Sequence, residues 1–212
     1  MNILISQKIC LDKHGVPVDS LERNYIDYFS EFGFRVFPVS NFSPDLSHFF
    51  NLEIGGVVLT GGNDVEEKND YVQFRNNQEN KLVRFAMEKK IPLFGVCHGM
   101  QFIHHVFGGK LKKAENHVAC THTLRLAQGL LHTEFLDNKA IVNSYHNFAI
   151  DEETISVDFQ IFARAEDGIV EGIIHKKLPI LGIQWHPERI KLRQDNNFNK
   201  RLINNFFGLS AK

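Results

Sequence analysis

A chain of 212 residues, 43% hydrophobic and 23% charged, has the length and composition of one soluble globular domain (1–212) with a full core. Its net charge of -1 gives no electrostatic footing for nucleic acid or an anionic membrane, and its apolar runs fall far short of a bilayer's width, so neither is an expected partner. Met1 to Ser6 lacks the basic and long apolar regions of a secretory signal, and Cys10, Cys97 and Cys120 form no CxxC pair, which together point to the cytoplasm.

Along the chain, Asn2 to Gln7 reads as a first buried strand. Leu21, Tyr25, Tyr28, Phe29 and Phe32 make a helical stripe that Gly33 ends. Phe34 to Val39 is the next strand, and Ser43-Pro44-Asp45 opens a short helix capped by Ser43. Gly56 to Thr60 is a buried strand running into Gly61-Gly62-Asn63-Asp64, and Phe74 to Lys89 has helical spacing. The apolar run from Pro92 ends at Cys97, after which Met100 to Phe107 continues as a helix to Gly108-Gly109. Strands then predominate, at Leu124–Leu126, Ala140–Val142, Ile161–Ala163, Ile169–Ile174 and Leu181–Gln184, with an antiparallel portion among them. Phe198 to Phe207 is a closing helix. The alternation predicts an α/β fold, a mostly parallel central sheet with helices on both faces.

Chemistry concentrates at Gly95-Val96-Cys97-His98-Gly99. A buried strand that stops at a glycine-flanked cysteine and turns into a helix reads as a nucleophile elbow. There the helix N-terminus favours a thiolate. Far downstream, Gln184-Trp185-His186-Pro187-Glu188 follows another buried strand and offers a base and, two residues on, a carboxylate to orient it. Cys97, His186 and Glu188 are therefore the expected catalytic triad. The Gly61-Gly62 turn ends a third strand, where its backbone can approach a substrate. Gly62 and His98 are the expected backbone donors to an oxyanion.

No metal site is expected. His104 and His105 adjoin on a helix and point about 100° apart. His117 and His122 lack further Cys or His partners at zinc-like spacing. Cys120-Thr121-His122 has no elbow and belongs to a strand or loop, and Arg189-Ile190-Lys191-Leu192-Arg193 reads as a solvated basic patch. No cofactor is called for.

These residues resemble the class I glutamine amidotransferase superfamily, and within it the γ-glutamyl hydrolase-like group. The resemblance runs through five blocks in order: Thr60 to Val65, Phe94 to Gln101, Val142 to Asn147, Asp167 to Glu171, and Gly182 to Glu188. It implies a flavodoxin-like class I glutamine amidotransferase fold and a γ-glutamyl thioester on Cys97. By the same carry-over, Gly61, Gln101, Tyr145, His146 and Asn147 bind the glutamyl part of a small-molecule γ-glutamyl substrate. The chain departs from the group where Arg75 is followed by Asn76 rather than aspartate, in Asn147-Phe148, and in a short stretch between Val65 and Arg75.

The leading functional expectation is a free-standing hydrolase that cleaves a γ-glutamyl amide to glutamate and an amine, amide or phosphoramidate. The alternative is a glutaminase subunit that supplies ammonia to a separate synthase partner. A transamidase and a non-catalytic member of the fold are the remaining readings, the last opposed by the intact triad.

Overall fold

The computed structural model describes residues 1–65, 70–127, 139–189 and 195–209. Its elements are β1 (Asn2–Ile5), the hairpin β2 (Lys8–Leu11) and β3 (Pro17–Ser20), α1 (Arg23–Glu31), β4 (Arg35–Pro38), β5 (Ile54–Leu59), α2 (Asp70–Lys89), β6 (Leu93–Val96) and α3 (His98–Val106). There follow β7 (Leu111–Lys113), β8 (Val118–Leu126), β9 (Lys139–Tyr145), β10 (Phe148–Ile150), β11 (Phe159–Ala165), β12 (Val170–His175), β13 (Ile180–Ile183) and α4 (Asn196–Phe206).

Among the described residues, nine strands form one sheet in the order β4-β1-β5-β6-β13-β12-β11-β8-β9. The four junctions from β4 to β13 are parallel and the four from β13 to β9 antiparallel, so the antiparallel portion is half the sheet. Strand periodicity divides the core between two faces. Ile3, Ile5, Val58 and Phe94 point to one side, where α1 and α4 cover them with Phe29, Phe198 and Leu202. Leu4, Val57, Leu59 and Leu93 point to the other, under Leu82 of α2 and Met100 and Ile103 of α3. Each such side chain, fully withdrawn from water, contributes about 1.5–3 kcal/mol. Helices thus lie on both faces, as in the flavodoxin-like arrangement expected.

Some local results differ from expectation, among them the antiparallel β7–β10 pair, which matches no expected strand. No helix begins at Ser43. A short 3-10 turn spans Ser47–Phe49, and the Asp45 carboxylate accepts from the Ser47 N–H at 2.8 Å, while the Ser43 and Pro44 carbonyls accept from Lys81 Nζ. The β2–β3 hairpin has no counterpart in the sequence reading, because its mixed polar pattern shows neither period clearly.

Candidate active site

β6 delivers Cys97 to the carboxyl end of the parallel half, where its φ of 51° turns the chain sharply into α3. That conformation is costly for a residue with a side chain, and the surroundings hold it. The Cys97 N–H donates to the Ile183 carbonyl of β13 at 2.8 Å, and the Cys97 carbonyl accepts from the Gln101 N–H. The flanking glycines answer to space. A Cβ on Gly95 would lie 2.6 Å from the Gly99 backbone, and one on Gly99 only 2.3 Å from the Leu59 carbonyl oxygen of β5. Larger residues would push α3 off the sheet and move the sulfur.

β13 is the parallel neighbour of β6, so the chain leaving it reaches the same edge. His186 is buried there, its Nδ1 2.7 Å from Glu188 Oε1. Asn143 of β9 pins the His186 backbone, accepting from its N–H at 2.9 Å and donating to its carbonyl at 2.7 Å. Trp185 is fully buried and donates from its indole to Asn199 of α4 at 2.9 Å, anchoring the segment from the opposite face. Burial works against charge on His186, but the Glu188 carboxylate and then the Cys97 sulfur lift its pKa from 6.5 to about 9. Gln184 Nε2 points at Cys97 Sγ from 3.5 Å.

The Gly61-Gly62 turn ends β5 beside them. Gly62 has φ +117°, open only to glycine, and lines the cavity with Cys97. Gly61 does not line it. Its N–H donates to the Tyr25 hydroxyl at 2.8 Å, and its bare Cα makes room for the base, since a Cβ there would sit 2.6 Å from His186 Cε1. Beneath the turn, fully buried Arg75 of α2 donates to the Thr60 carbonyl (2.7 Å), the Gly61 carbonyl (3.3 Å) and Asn63 Oδ1 (3.2 Å). Arg75 Nε also pairs with buried Glu79 at 3.0 Å, whose other oxygen meets His98 Nε2 at 2.8 Å. Burial opposes ionisation of Glu79, yet Arg75 and then His98 draw its pKa down to about 2. His98, the first residue of α3, is thereby fixed by its side chain while its N–H stands at the helix N-terminus beside the sulfur.

The cavity over Cys97 holds about 130 Å³ and is lined by Gly62, Gln101, Tyr145, His146, Asn147 and His186, together with Asp64, Phe148 and Arg189. Every other expected site residue is thus gathered here or adjoins it. Arg189 is a correction. It does not belong to a solvated patch but pairs with Glu22 at 2.6 Å and lies 4.9 Å over the Tyr145 ring, and 190–193 fall outside the described residues. Asn143 and Gln184 lie inside recognised motifs and Arg75 at a departure from the group, yet the sequence assigned none of them, nor Glu79, a role in holding the site. Asn143, a polar residue directly after the apolar run Ala140 to Val142 and still inside β9, is the visible signal for such a role.

The histidines set aside on sequence spacing are neighbours in space. His117, before β8, and His122 within it meet His146 and Glu171 of β12, three strands supplying what no short motif does.

A glycine-flanked cysteine, a histidine–carboxylate pair and a glycine turn, all at the carboxyl ends of adjacent parallel strands, define an α/β enzyme with a nucleophilic cysteine. Residues 17–207 match the family Glutamine amidotransferase class-I, and the chain belongs to it. It is 32% identical over 216 residues to a gamma-glutamyl-CDP-amidate hydrolase of Campylobacter jejuni, covering 99% of this chain and 98% of the other. It is also 32% identical over 191 residues to an anthranilate synthase component 2 of Cyanophora paradoxa, covering 88% and 94%. In fold it is similar to a glutamine amidotransferase of Thermotoga maritima, with a TM-score of 0.66 at 19% identity over 97% of this chain and 81% of that one. No helix among the described residues is long and apolar enough to cross a membrane.

Proposed function

We propose that this protein hydrolyses a γ-glutamyl amide through a thioester on Cys97. The observation that carries the reading is Cys97 in its elbow, backed by the His186–Glu188 pair, at the floor of a cavity of about 130 Å³. The Cys97 sulfur attacks the amide carbon, and the Gly62 and His98 N–H groups stabilise the oxyanion. As the C–N bond breaks, the His186 imidazolium gives its proton to the departing nitrogen. His186 then takes a proton from water, whose oxygen attacks the thioester and returns Cys97 with release of glutamate. Glu188 holds the ring's orientation and charge throughout. Ligand pockets for drug-sized molecules run to about 300 Å³ and above, so this cleft encloses a glutamyl group and leaves a large leaving group outside. Asp64 and the Glu22-paired Arg189 carry charges opposite to the α-ammonium and α-carboxylate, and Gln101, Tyr145, His146 and Asn147 line the same cavity.

For the donor we favour glutamine, with ammonia passed to a separate synthase. Its support is the recurrence of synthase components among the relatives and the glutamine-sized cleft. A second reading, hydrolysis of a γ-glutamyl nucleotide amidate by the free-standing protein, is supported by the end-to-end match to the Campylobacter jejuni hydrolase. Glutamate release from glutamine, γ-glutamyl amines and a γ-glutamyl nucleotide amidate, beside a Cys97→Ala control, separates them. Turnover of glutamine, alone or on adding a synthase, supports the first; turnover of the amidate with little on glutamine replaces it with the second. Cys97-independent release, or none from any of these compounds with or without a synthase, would sink the common mechanism.

A further inference from the structure

Behind the substrate loop, on the antiparallel half, lies a buried cluster that the proposed reaction touches only at His146, on the cavity wall. Glu171 is wholly buried, and His117 and His146 are 3% exposed. Glu171 Oε1 lies 3.6 Å from His117 Nδ1 and 3.2 Å from His146 Nε2, and Glu171 Oε2 lies 3.5 Å from His122 Nε2. The buried Glu171 Oε2 and His122 Nε2 make no hydrogen bond. Ligands held about 2.0–2.1 Å from a tetrahedral zinc sit about 3.4 Å apart, and ligand atoms of His117, His146 and Glu171 all lie within 4.8 Å of one another.

The outer nitrogens of His117 and His146 are each held by an acceptor. His146 Nδ1 is 2.9 Å from the Phe148 carbonyl, which only accepts, so Nδ1 carries a proton. His117 Nε2 is 2.9 Å from the Asp167 carboxylate and is likewise protonated. The inner nitrogens, His146 Nε2 and His117 Nδ1, both face the Glu171 carboxylate, the first within hydrogen-bond distance at 3.2 Å. A carboxylate or carbonyl gripping the far nitrogen is the usual support of a metal-ligating histidine. The Ser144 hydroxyl, near His117 Nδ1 at 3.4 Å, spends its own proton on the His117 carbonyl at 2.7 Å. An access path exists, because His117, His122 and Asp167 line a surface pocket of about 260 Å³ that also holds Cys120.

We propose that His117 Nδ1, His146 Nε2 and Glu171 bind one divalent zinc ion, with His122 Nε2, 3.5 Å from Glu171 Oε2, turning in from the pocket side as the fourth ligand. Three nitrogens and a carboxylate suit zinc better than magnesium or calcium, which take oxygen ligands. The ion's place is structural. His146 also lines the substrate cavity, so the ion ties the Tyr145–Asn147 loop to β8 and β12.

The test is zinc content and affinity of the purified full chain after chelator treatment and zinc chloride titration, with cobalt(II) absorption as a spectroscopic readout of a four-coordinate site. The expected result is about one equivalent per chain. Glu171→Gln and His122→Gln should abolish high-affinity binding. Asp167→Asn, at an exposed residue that the fold tolerates, should weaken it about 10- to 100-fold. His105→Gln, an exposed histidine elsewhere, should change nothing. Folding of each variant is checked by circular dichroism. Binding no stronger than that of the Glu171→Gln protein, binding unaltered by Asp167→Asn and His122→Gln, or cobalt spectra without four-coordinate bands would overturn the proposal.

Discussion

In the parallel half of the sheet, β5, β6 and β13 each end in a short segment that carries one part of the active site: the Gly61-Gly62 turn, Cys97, and His186 with Glu188. In the antiparallel half, β8, β9 and β12 bring His122, His146 and Glu171 together from the middle or margins of strands. The first region concentrates its chemistry at one edge because parallel strands all point their carboxyl ends the same way. The second has no such edge and builds by cross-strand neighbours instead. One half is thus arranged around a reacting atom, and the other around a buried charge.

The same difference decided what could be read from the sequence. An elbow is local, since the apolar run, both glycines and the cysteine lie within Leu93 to Gly99, and the His186–Glu188 pair spans three residues. The cluster is distributed over residues 117 to 171, and its pairing follows from a register that no single strand displays. The supporting role of Arg75 and Glu79 was illegible for another reason. Charges on a helix read as a solvated face, and only the Thr60 and Gly61 carbonyls above them give them a buried role. The fold class and the order of the main strands were legible, whereas the β2–β3 hairpin and the equal share of antiparallel pairing were not.

The largest expected effect separates the halves outright. Cys97→Ala should lower glutamate release by about 10⁴-fold or more, as for other nucleophile deletions, while metal content and secondary structure stay unchanged. A residual rate near wild type would show that the reaction does not run through the elbow. Next comes the support beneath it. Arg75→Met leaves Glu79 buried without its cation and should cost about 3–5 kcal/mol in urea unfolding. Arg23→Ala, which breaks the exposed pair with Asp27, should cost about 0.5 kcal/mol or less. Equal costs would mean that the buried network does not hold the glycine turn.

Smaller effects probe the geometry of the base. Gly61→Ala pushes a methyl against His186 and should lower kcat by about 100-fold, the scale of a displacement near 1 Å. If kcat holds, the ring has more freedom than its packing suggests. The pH dependence follows from the raised pKa of His186. Its contribution to stability is whole below pH 6.5, because folded and unfolded rings are then both protonated, and it is lost as pH rises through about 9. The rate should fall over the same upper limb as the proton for the departing nitrogen disappears. Glu188→Gln removes the largest favourable influence and should move that limb to lower pH, read directly by following the His186 ring in an NMR titration.

The smallest effect concerns the backbone of the elbow itself. A left-handed conformation costs a residue with a Cβ about 1–2 kcal/mol, and glycine escapes that cost while giving up more chain entropy on folding, about 0.5–1 kcal/mol. At Cys97, with φ 51°, the first quantity exceeds the second. Cys97→Gly should therefore be more stable than Cys97→Ala by up to about 1.5 kcal/mol, the reverse of the order found at ordinary positions, although both variants lack the nucleophile. Ser144 supplies the control in the antiparallel half, since it sits in β9 away from the positive-φ positions. There alanine should be the more stable of the two replacements. Matched thermal melts of the four proteins decide the matter. The same order at both sites would mean that the elbow carries no strain, and the parallel half would then owe its reactive edge to packing alone.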